Sequence, residues 1–138
     1  MEGVTRRAIE RISLDLGLPS GDAFTQDWAY ELPPRFKTRE WLGRLIEACF
    51  NNLYGDPEYQ VLVKVALNVV NELLKQDASA GEDAWMSLMP VLRGRPLAYR
   101  AQLEYWALDG EDLEDAFALT PYVRELVREL YDDAPEES

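Results

Sequence analysis

The sequence predicts a single all-α domain: a compact bundle of six to seven helices with one long, aromatic-rich loop near the N-terminus. The first observation behind this prediction is that apolar residues recur every three or four positions along most of the chain. The second is that Gly, Pro and Asp-Gly sequences interrupt these periodic stretches and leave mostly short connections. The third is composition, because 138 residues with 47% hydrophobic and 29% charged side chains suffice for one globular core.

The first predicted helix spans about 3–16, with apolar residues at helical spacing and Gly17 as the residue that ends it. The longest irregular stretch follows, residues 17–36, which five Gly and Pro residues interrupt. Its large side chains are Phe24, Trp28, Tyr30, Leu32 and Phe36. We expect this stretch to pack as a cover across the helices, and a functional loop is the alternative.

The second predicted helix spans about 39–54, begins after Thr38 as its N-cap and ends at Gly55. Its apolar stripe includes Cys49, the single cysteine of a chain that has no histidine. A cysteine nucleophile needs a base or a positive environment to form its thiolate. We therefore interpret Cys49 as a small core residue.

The third predicted helix follows at once over 56–76, with Asp56 as its cap and Pro57 at its first position. Apolar residues cover most of its circumference, which is typical of a central helix with neighbours on several sides. Its valines leave a strand as the alternative. The helix is favoured because the stretch is long and contains no turn signal.

Residues 77–81 are predicted to form a loop before a fourth helix over about 82–93. A fifth helix is expected over about 96–108. Its aligned apolar residues are Tyr99, Leu103 and Trp106. Because the connections are short, neighbouring helices are expected to pack antiparallel.

A short acidic helix is expected over 111–119, after the Asp-Gly sequence that ends the fifth helix. The last helix is predicted to begin with Thr120 as its N-cap and Pro121 at its first position. Residues 132–138 are predicted to form a disordered acidic tail. The single helical domain is therefore assigned to residues 1–131.

The net charge of −12 is distributed unevenly along the chain. Residues 1–103 carry a net charge of −2, whereas residues 104–138 carry −10. Such a concentration of negative charge repels nucleic acid and anionic membranes and attracts basic proteins. The alternative is an acidic surface that only improves solubility.

Few kinds of catalytic or metal site are compatible with this composition. Without histidine there is no Ser-His-Asp triad, no zinc site built on Cys and His, and no helical di-iron site. Residues 109–115 are acidic but lack the alternation of a calcium-binding EF-hand loop, so they are interpreted as the start of a helix. No catalytic residue, metal or cofactor is predicted.

The compact basic sequence Arg-Gly-Arg-Pro at 93–96 has two interpretations. It could bind a phosphate, or it could neutralise acidic neighbours, and the second is favoured. No apolar run is long enough to cross a bilayer, and the N-terminus lacks the apolar region of a secretory signal. We therefore expect a cytoplasmic protein.

A surface for a basic protein partner is the site that the charge pattern favours. Carboxylates would steer the partner, and an aromatic ring, Tyr105 or Trp106, would anchor it. The predicted partner-binding residues are Glu104, Tyr105, Trp106, Asp109, Glu111, Asp112, Glu114 and Asp115.

Three stretches resemble small acidic helical bacterial proteins: 39–74, 84–108 and 119–126. Their shared features are a Trp before a leucine-rich helix, a Tyr-Trp pair near the end of a later helix, and a Thr-Pro-x-x-Arg closing helix. Proteins of this kind are similar to immunity proteins of bacterial toxin systems. The resemblance implies a cytoplasmic protein that blocks a basic, nuclease-like toxin by binding it. The alternatives are a subunit of a larger complex or homodimer, and a helical enzyme that uses carboxylates alone.

Overall fold

A computed structural model describes residues 2–17, 34–50, 54–95, 98–107 and 118–131. Within these ranges the chain forms six α-helices, one short 3₁₀ helix and no strand, which confirms the predicted all-α class. The elements are α1 (Glu2–Leu16), the 3₁₀ helix (Pro34–Phe36), α2 (Arg39–Cys49), α3 (Asp56–Gln76), α4 (Ala78–Gly94), α5 (Arg100–Ala107) and α6 (Thr120–Tyr131). Most of the predicted loop 17–36, most of the predicted helix 111–119, and the tail 132–138 lie outside the described residues.

Helix α3 occupies the centre of the fold and packs against α1, α2 and α4. Thirteen of its 21 residues are buried, and Leu62 and Leu67 are fully inaccessible to solvent. A helix surrounded in this way needs apolar residues on nearly all sides. The prediction of a central helix over 56–76 is therefore confirmed, and the strand alternative is wrong.

The ends of α1 and α4 show that both helices run antiparallel to α3. The Tyr54 hydroxyl, just before α3, donates to a carboxylate oxygen of Asp15 near the end of α1 at 2.7 Å. Arg95, just after α4, donates to Asp56 at the start of α3 at 2.9 Å. These contacts place the ends of α1 and α4 beside the start of α3.

The predicted boundary between the second and third helices is wrong at Gly55. Helix α2 begins after Thr38 as predicted, but it ends at Cys49, about five residues early. Gly55 is instead the N-cap of α3, in an extended conformation, and its N–H donates to the Glu58 carboxylate at 3.0 Å. Asp56 and Pro57 consequently lie in the first turn of α3, one position later than predicted.

The predicted loop over 77–81 is also wrong, because Asp77 alone separates α3 from α4. The Asp77 carboxylate accepts hydrogen bonds from the N–H groups of Ser79 at 3.0 Å and Ala80 at 3.5 Å. This is the geometry of a helix N-cap, which satisfies donors that the first turn leaves open. The small residues after Asp77 are therefore helical.

Gly81 lies in the first turns of α4, where the helix is in close contact with α3. A Cβ atom at this position would lie 2.6 Å from Leu74 Cα. No side chain fits at that distance, so glycine is required here for the close approach of two helices. The sequence predicted a loop at Gly81, whereas the structure shows that glycine is needed here so that α4 can pack closely against α3.

Helices α5 and α6 pack against each other, and α6 also contacts α4. The Tyr122 hydroxyl donates to Glu82 at 2.7 Å near the start of both helices, and Arg93 donates twice to Glu129 at 2.9 Å near their ends. Helices α4 and α6 therefore run parallel. The buried apolar residues of α5, α6 and the turns before them are Tyr99, Leu103, Trp106, Ala107, Leu119, Val123 and Leu126.

Ser13 on α1 is buried, and its hydroxyl has no hydrogen-bond partner within the described structure. Burying a hydroxyl without a partner costs free energy, so Ser13→Ala is expected to raise the free energy of unfolding by about 1 kcal/mol. Urea denaturation followed by circular dichroism measures the change. The control is Ser87→Ala, because the Ser87 side chain is exposed and its hydroxyl donates to the Asp83 carbonyl at 3.1 Å. If Ser13→Ala lowers the free energy of unfolding while Ser87→Ala leaves it unchanged, the prediction is wrong.

None of the helices in the described ranges is both long enough and apolar enough to cross a membrane.

Candidate partner-binding site

The residues that the structure describes carry no net charge in total. All 14 basic residues lie in the described ranges, together with 14 of the 26 acidic residues. The net charge of −12 therefore comes from the remaining ranges: −3 from 18–33, −5 from 108–117 and −4 from 132–138. The acidic excess of the C-terminal third lies on both sides of α6 in the sequence.

The described helices of the C-terminal third carry no net charge of their own. Helices α5 and α6 carry three acidic and three basic residues in total. Arg100 pairs with Glu104 at 3.0 Å, and Glu129 pairs with Arg93 of α4. Two of the three carboxylates on these helices are therefore paired with arginines.

The structure describes three of the eight predicted site residues. Glu104 and Tyr105 are exposed on α5, and the Tyr105 side chain is 62% exposed. Trp106 is buried. The other five residues lie in 108–117, outside the described residues; they are Asp109, Glu111, Asp112, Glu114 and Asp115.

Trp106 cannot serve as a surface anchor in this structure, because its side chain is only 4% exposed and belongs to the core. The alignment of Trp106 with Tyr99 and Leu103 in the sequence already indicated the buried face of the helix. The neighbouring Tyr105 ring lies edge-on to Trp106, with ring centroids 5.8 Å apart. Of the two predicted anchors, Tyr105 is the accessible one.

The residues on either side of the acidic segment 108–117 are joined by one buried and one partly buried hydrogen bond, and we call this contact the α5–α6 junction. The Thr120 hydroxyl donates to the Trp106 carbonyl at 2.8 Å, and Arg124 Nε donates to the Ala107 carbonyl at 2.6 Å. The Leu119 N–H donates to Asn71 Oδ1 of α3 at 3.0 Å. Five acidic residues thus lie between two fixed points of the fold.

Thr120 is not the N-cap that the sequence suggested. The Leu119 carbonyl accepts from the N–H groups of Tyr122 and Val123, both at 3.1 Å, so Leu119 occupies the cap position. The Thr120 hydroxyl is directed to α5 instead. A tertiary contact has therefore replaced the local capping bond that its residue type predicts.

Asn71 is the residue of this region that the sequence did not single out. It lies among the buried apolar residues of α3, is 4% exposed, and its amide oxygen accepts from the Leu119 N–H across 48 residues of chain. A buried amide within an apolar helix needs a polar partner. That rule is the signal that could have marked Asn71, although it does not identify the partner.

The basic sequence at 93–96 neutralises acidic neighbours, as the favoured interpretation predicted for its arginines. Arg93 pairs with Glu129, and Arg95 pairs with Asp56 at 2.9 Å while its guanidinium lies 4.5 Å from the Tyr59 ring centroid. Exposed pairs of this kind contribute about 0.2–1 kcal/mol each. They connect α4 to α6 and α3.

The Cys49 thiol is half-buried against the core, and burial raises its pKa to about 12, although Arg95 opposes the shift. The thiolate is the reactive form, so native Cys49 is expected to react with a disulfide reagent at pH 8 at least ten-fold more slowly than a free cysteine. Colorimetric thiol titration measures the rate. The same protein in urea is the control and should react at the rate of the free thiol. Equal rates in both conditions would contradict the prediction.

Among the described residues, no three His, Cys, Asp or Glu side chains are grouped as a metal ion would require. The chain matches no protein-family model, no curated protein and no solved structure.

Proposed function

We propose that the chain is a non-enzymatic binding protein that neutralises a basic protein by direct contact. The single observation that carries this proposal is the concentration of charge in one part of the chain: residues 104–138 carry a net charge of −10, whereas residues 1–103 carry −2. Charge that served solubility alone could be spread over the exposed faces of the helices. Its concentration in the last 35 residues of the sequence favours recognition.

The acidic segment 108–117 and the exposed Tyr105 provide the two components of such a surface. Carboxylates steer a basic partner and raise association rates to about 10⁸–10⁹ M⁻¹s⁻¹ at low salt. An exposed aromatic ring beside them supplies the apolar contact that slows dissociation. Tyr105 lies on α5, three residues before the segment begins, and the Arg100–Glu104 pair lies on the same helix.

The most concrete partner is a nuclease-like bacterial toxin. Nucleases bind a polyanion through a basic surface, and an acidic inhibitor competes for that surface. The resemblance of 39–74, 84–108 and 119–126 to immunity proteins supports the same class. The chain would then act in the cytoplasm of the cell that makes the toxin.

Co-expression with the adjacent genes tests this function. Each neighbouring open reading frame is expressed alone and together with this chain, and growth and co-purification are followed. We expect one neighbour to encode a basic protein that arrests growth, and this chain to restore growth by forming a stable complex. Neighbours that are harmless, or whose toxicity the chain leaves unchanged, would contradict the proposal.

The electrostatic part of the proposal is tested on the purified complex by calorimetry at increasing NaCl concentration. Affinity is expected to fall as salt rises. A segment-neutral variant should bind at least ten-fold more weakly; its substitutions are Asp109→Asn, Glu111→Gln, Asp112→Asn, Glu114→Gln and Asp115→Asn. The matched control neutralises the four carboxylates of 132–138 and should bind nearly as well as the natural chain. Affinity that is independent of salt would contradict the electrostatic mechanism.

A second candidate function is a subunit of a larger complex or a homodimer, in which apolar surface makes the contact. The observation that favours it is the exposure of large apolar side chains on or just beyond three helices: Leu14 is 84% exposed, Met86 64% and Phe50 58%. Light scattering distinguishes the two functions. A stable oligomer of the isolated chain would favour this candidate, and a monomer would favour the inhibitor.

A further inference from the structure

Two arginines are stacked on a pair of contacting aromatic rings around the start of α2. The Arg35 guanidinium carbon lies 4.7 Å from the Phe36 ring centroid, and that of Arg44 lies 4.2 Å from the Trp41 ring centroid. The Phe36 and Trp41 rings meet edge to face, with centroids 4.9 Å apart. We call these four side chains the Arg35–Arg44 surface. Stacking of this kind holds both guanidinium groups in defined places.

This surface is locally positive, although the described residues carry no net charge in total. Residues 35–44 contain four basic side chains and one acidic side chain, a net charge of +3. The N-terminus of α2 adds partial positive charge within the same stretch. Arg39 lies 3.9 Å from a carboxylate of α4, and Lys37 is buried. The remaining exposed basic side chains therefore lie at the two ends of the stretch.

Arg35 and Arg44, at these two ends, keep most of their hydrogen-bond donors accessible. Both side chains are exposed, and among the described residues no carboxylate lies within 4.0 Å of either guanidinium group. Arg44 donates to the Leu16 carbonyl of α1 at 3.2 Å, and a guanidinium group has five donors. Each arginine can therefore bind a carboxylate through two parallel N–H···O bonds.

The rings of this surface favour an acidic peptide over a nucleic acid. Proteins bind single-stranded nucleic acids by stacking the bases on open aromatic faces. Here Phe36 is 6% exposed, Trp41 is half-buried, and an arginine already lies over each ring. A carboxylate needs only the edge of a guanidinium group, which stacking leaves accessible.

The two guanidinium groups also define the spacing of the charges that a partner would need. The three distances through the rings limit the separation of the Arg35 and Arg44 guanidinium carbons to about 14 Å. An extended peptide rises about 3.4 Å per residue, so carboxylates three or four residues apart span about 10–14 Å. Two carboxylates of one short segment can therefore reach both arginines.

We propose that the Arg35–Arg44 surface binds an acidic peptide segment of a partner protein. Two carboxylates of that segment pair with the arginines, and an apolar side chain between them contacts Trp41. The stacked arginines lose little conformational freedom on binding, which favours the complex. This inference goes beyond the proposed function, because the partner has the opposite charge and contacts a different helix.

Titration of the full chain with a short peptide, followed by NMR, tests the proposal. The probe is Gly-Glu-Ser-Leu-Ser-Glu-Gly, blocked at both ends, and its control has glutamine in place of both glutamates. The Trp41 indole N–H signal, assigned with Trp41→Phe, is expected to shift with the acidic peptide and to stay in place with the control. The indole signals of the buried Trp85 and Trp106 should not move. Added NaCl should weaken the binding.

Substitutions at the two ends of the surface separate paired recognition from net charge. Arg35→Gln and Arg44→Gln should each weaken peptide binding by about three- to ten-fold. Arg44→Lys keeps the charge but loses the two parallel bonds, so it should weaken binding by about three-fold. The matched control is Arg128→Gln, which removes the same charge from an exposed position on α6 and should bind like the natural chain. Circular dichroism checks that each variant is folded.

A Trp41 signal that stays in place at millimolar acidic peptide would overturn the proposal, and this result does not depend on any variant. Equal binding of the acidic and glutamine peptides would also contradict it, as would equal weakening by Arg44→Gln and Arg128→Gln. If a single-stranded oligonucleotide moves the Trp41 signal at a lower concentration than the peptide does, the surface belongs to nucleic acid and the proposal is wrong.

Discussion

Replacement of Gly81 by alanine is expected to lower the free energy of unfolding by about 3 kcal/mol. The new Cβ atom would lie 2.6 Å from Leu74 Cα, so the backbones of α3 and α4 would have to separate. Overpacking of this kind costs about 1–3 kcal/mol, and the upper end is expected because the obstructing atom belongs to the backbone. Urea denaturation of the natural chain and the variant measures the loss.

Gly43 provides a matched control, because it also lies within a helix but has open space around it. Gly43→Ala should raise the free energy of unfolding by about 0.5–1 kcal/mol, since alanine is the better helix former. The two substitutions are therefore expected to act in opposite directions. If both stabilise the chain, α3 and α4 are not as close as described.

Replacement of Trp106 by alanine is expected to cost about 3–5 kcal/mol of stability, because it would leave a large cavity beneath α5 and α6. The Trp106 side chain is 4% exposed and packs in the same core as Leu103 and Val123. Thermal and urea denaturation should both show the loss.

Tyr105→Ala is the matched control for Trp106→Ala, because the adjacent ring is 62% exposed. It should change the free energy of unfolding by about 0.5 kcal/mol or less. If Tyr105 anchors a basic partner, the same variant should bind the partner about ten-fold more weakly. A large loss of stability in Tyr105→Ala would show that this ring supports the core.

The helices and helix ends that could be predicted are those whose sequence signals are local. The apolar residues around α3 required neighbours on several sides, and the Thr38 side chain accepts from the Trp41 N–H at 3.3 Å as its residue type predicted. Gly17 ends α1 with φ of +80°, a conformation that favours glycine. Such features depend on a few adjacent residues.

Features that depend on distant parts of the chain could not be predicted. Gly81 was interpreted as part of a loop, because the sequence does not show that Leu74 lies against it. Asn71 meets Leu119 across 48 residues, and Thr120 bonds to α5 instead of capping α6.

The connection between α3 and α4 restricts how the length of this chain can vary. Because Asp77 alone joins the two helices, an inserted residue would turn α4 by about 100° relative to α3. Gly81 would then leave Leu74, and a side chain would take its place in the contact. Insertions and deletions among related sequences are therefore expected in other connections, while the spacing from Leu74 to Gly81 stays constant.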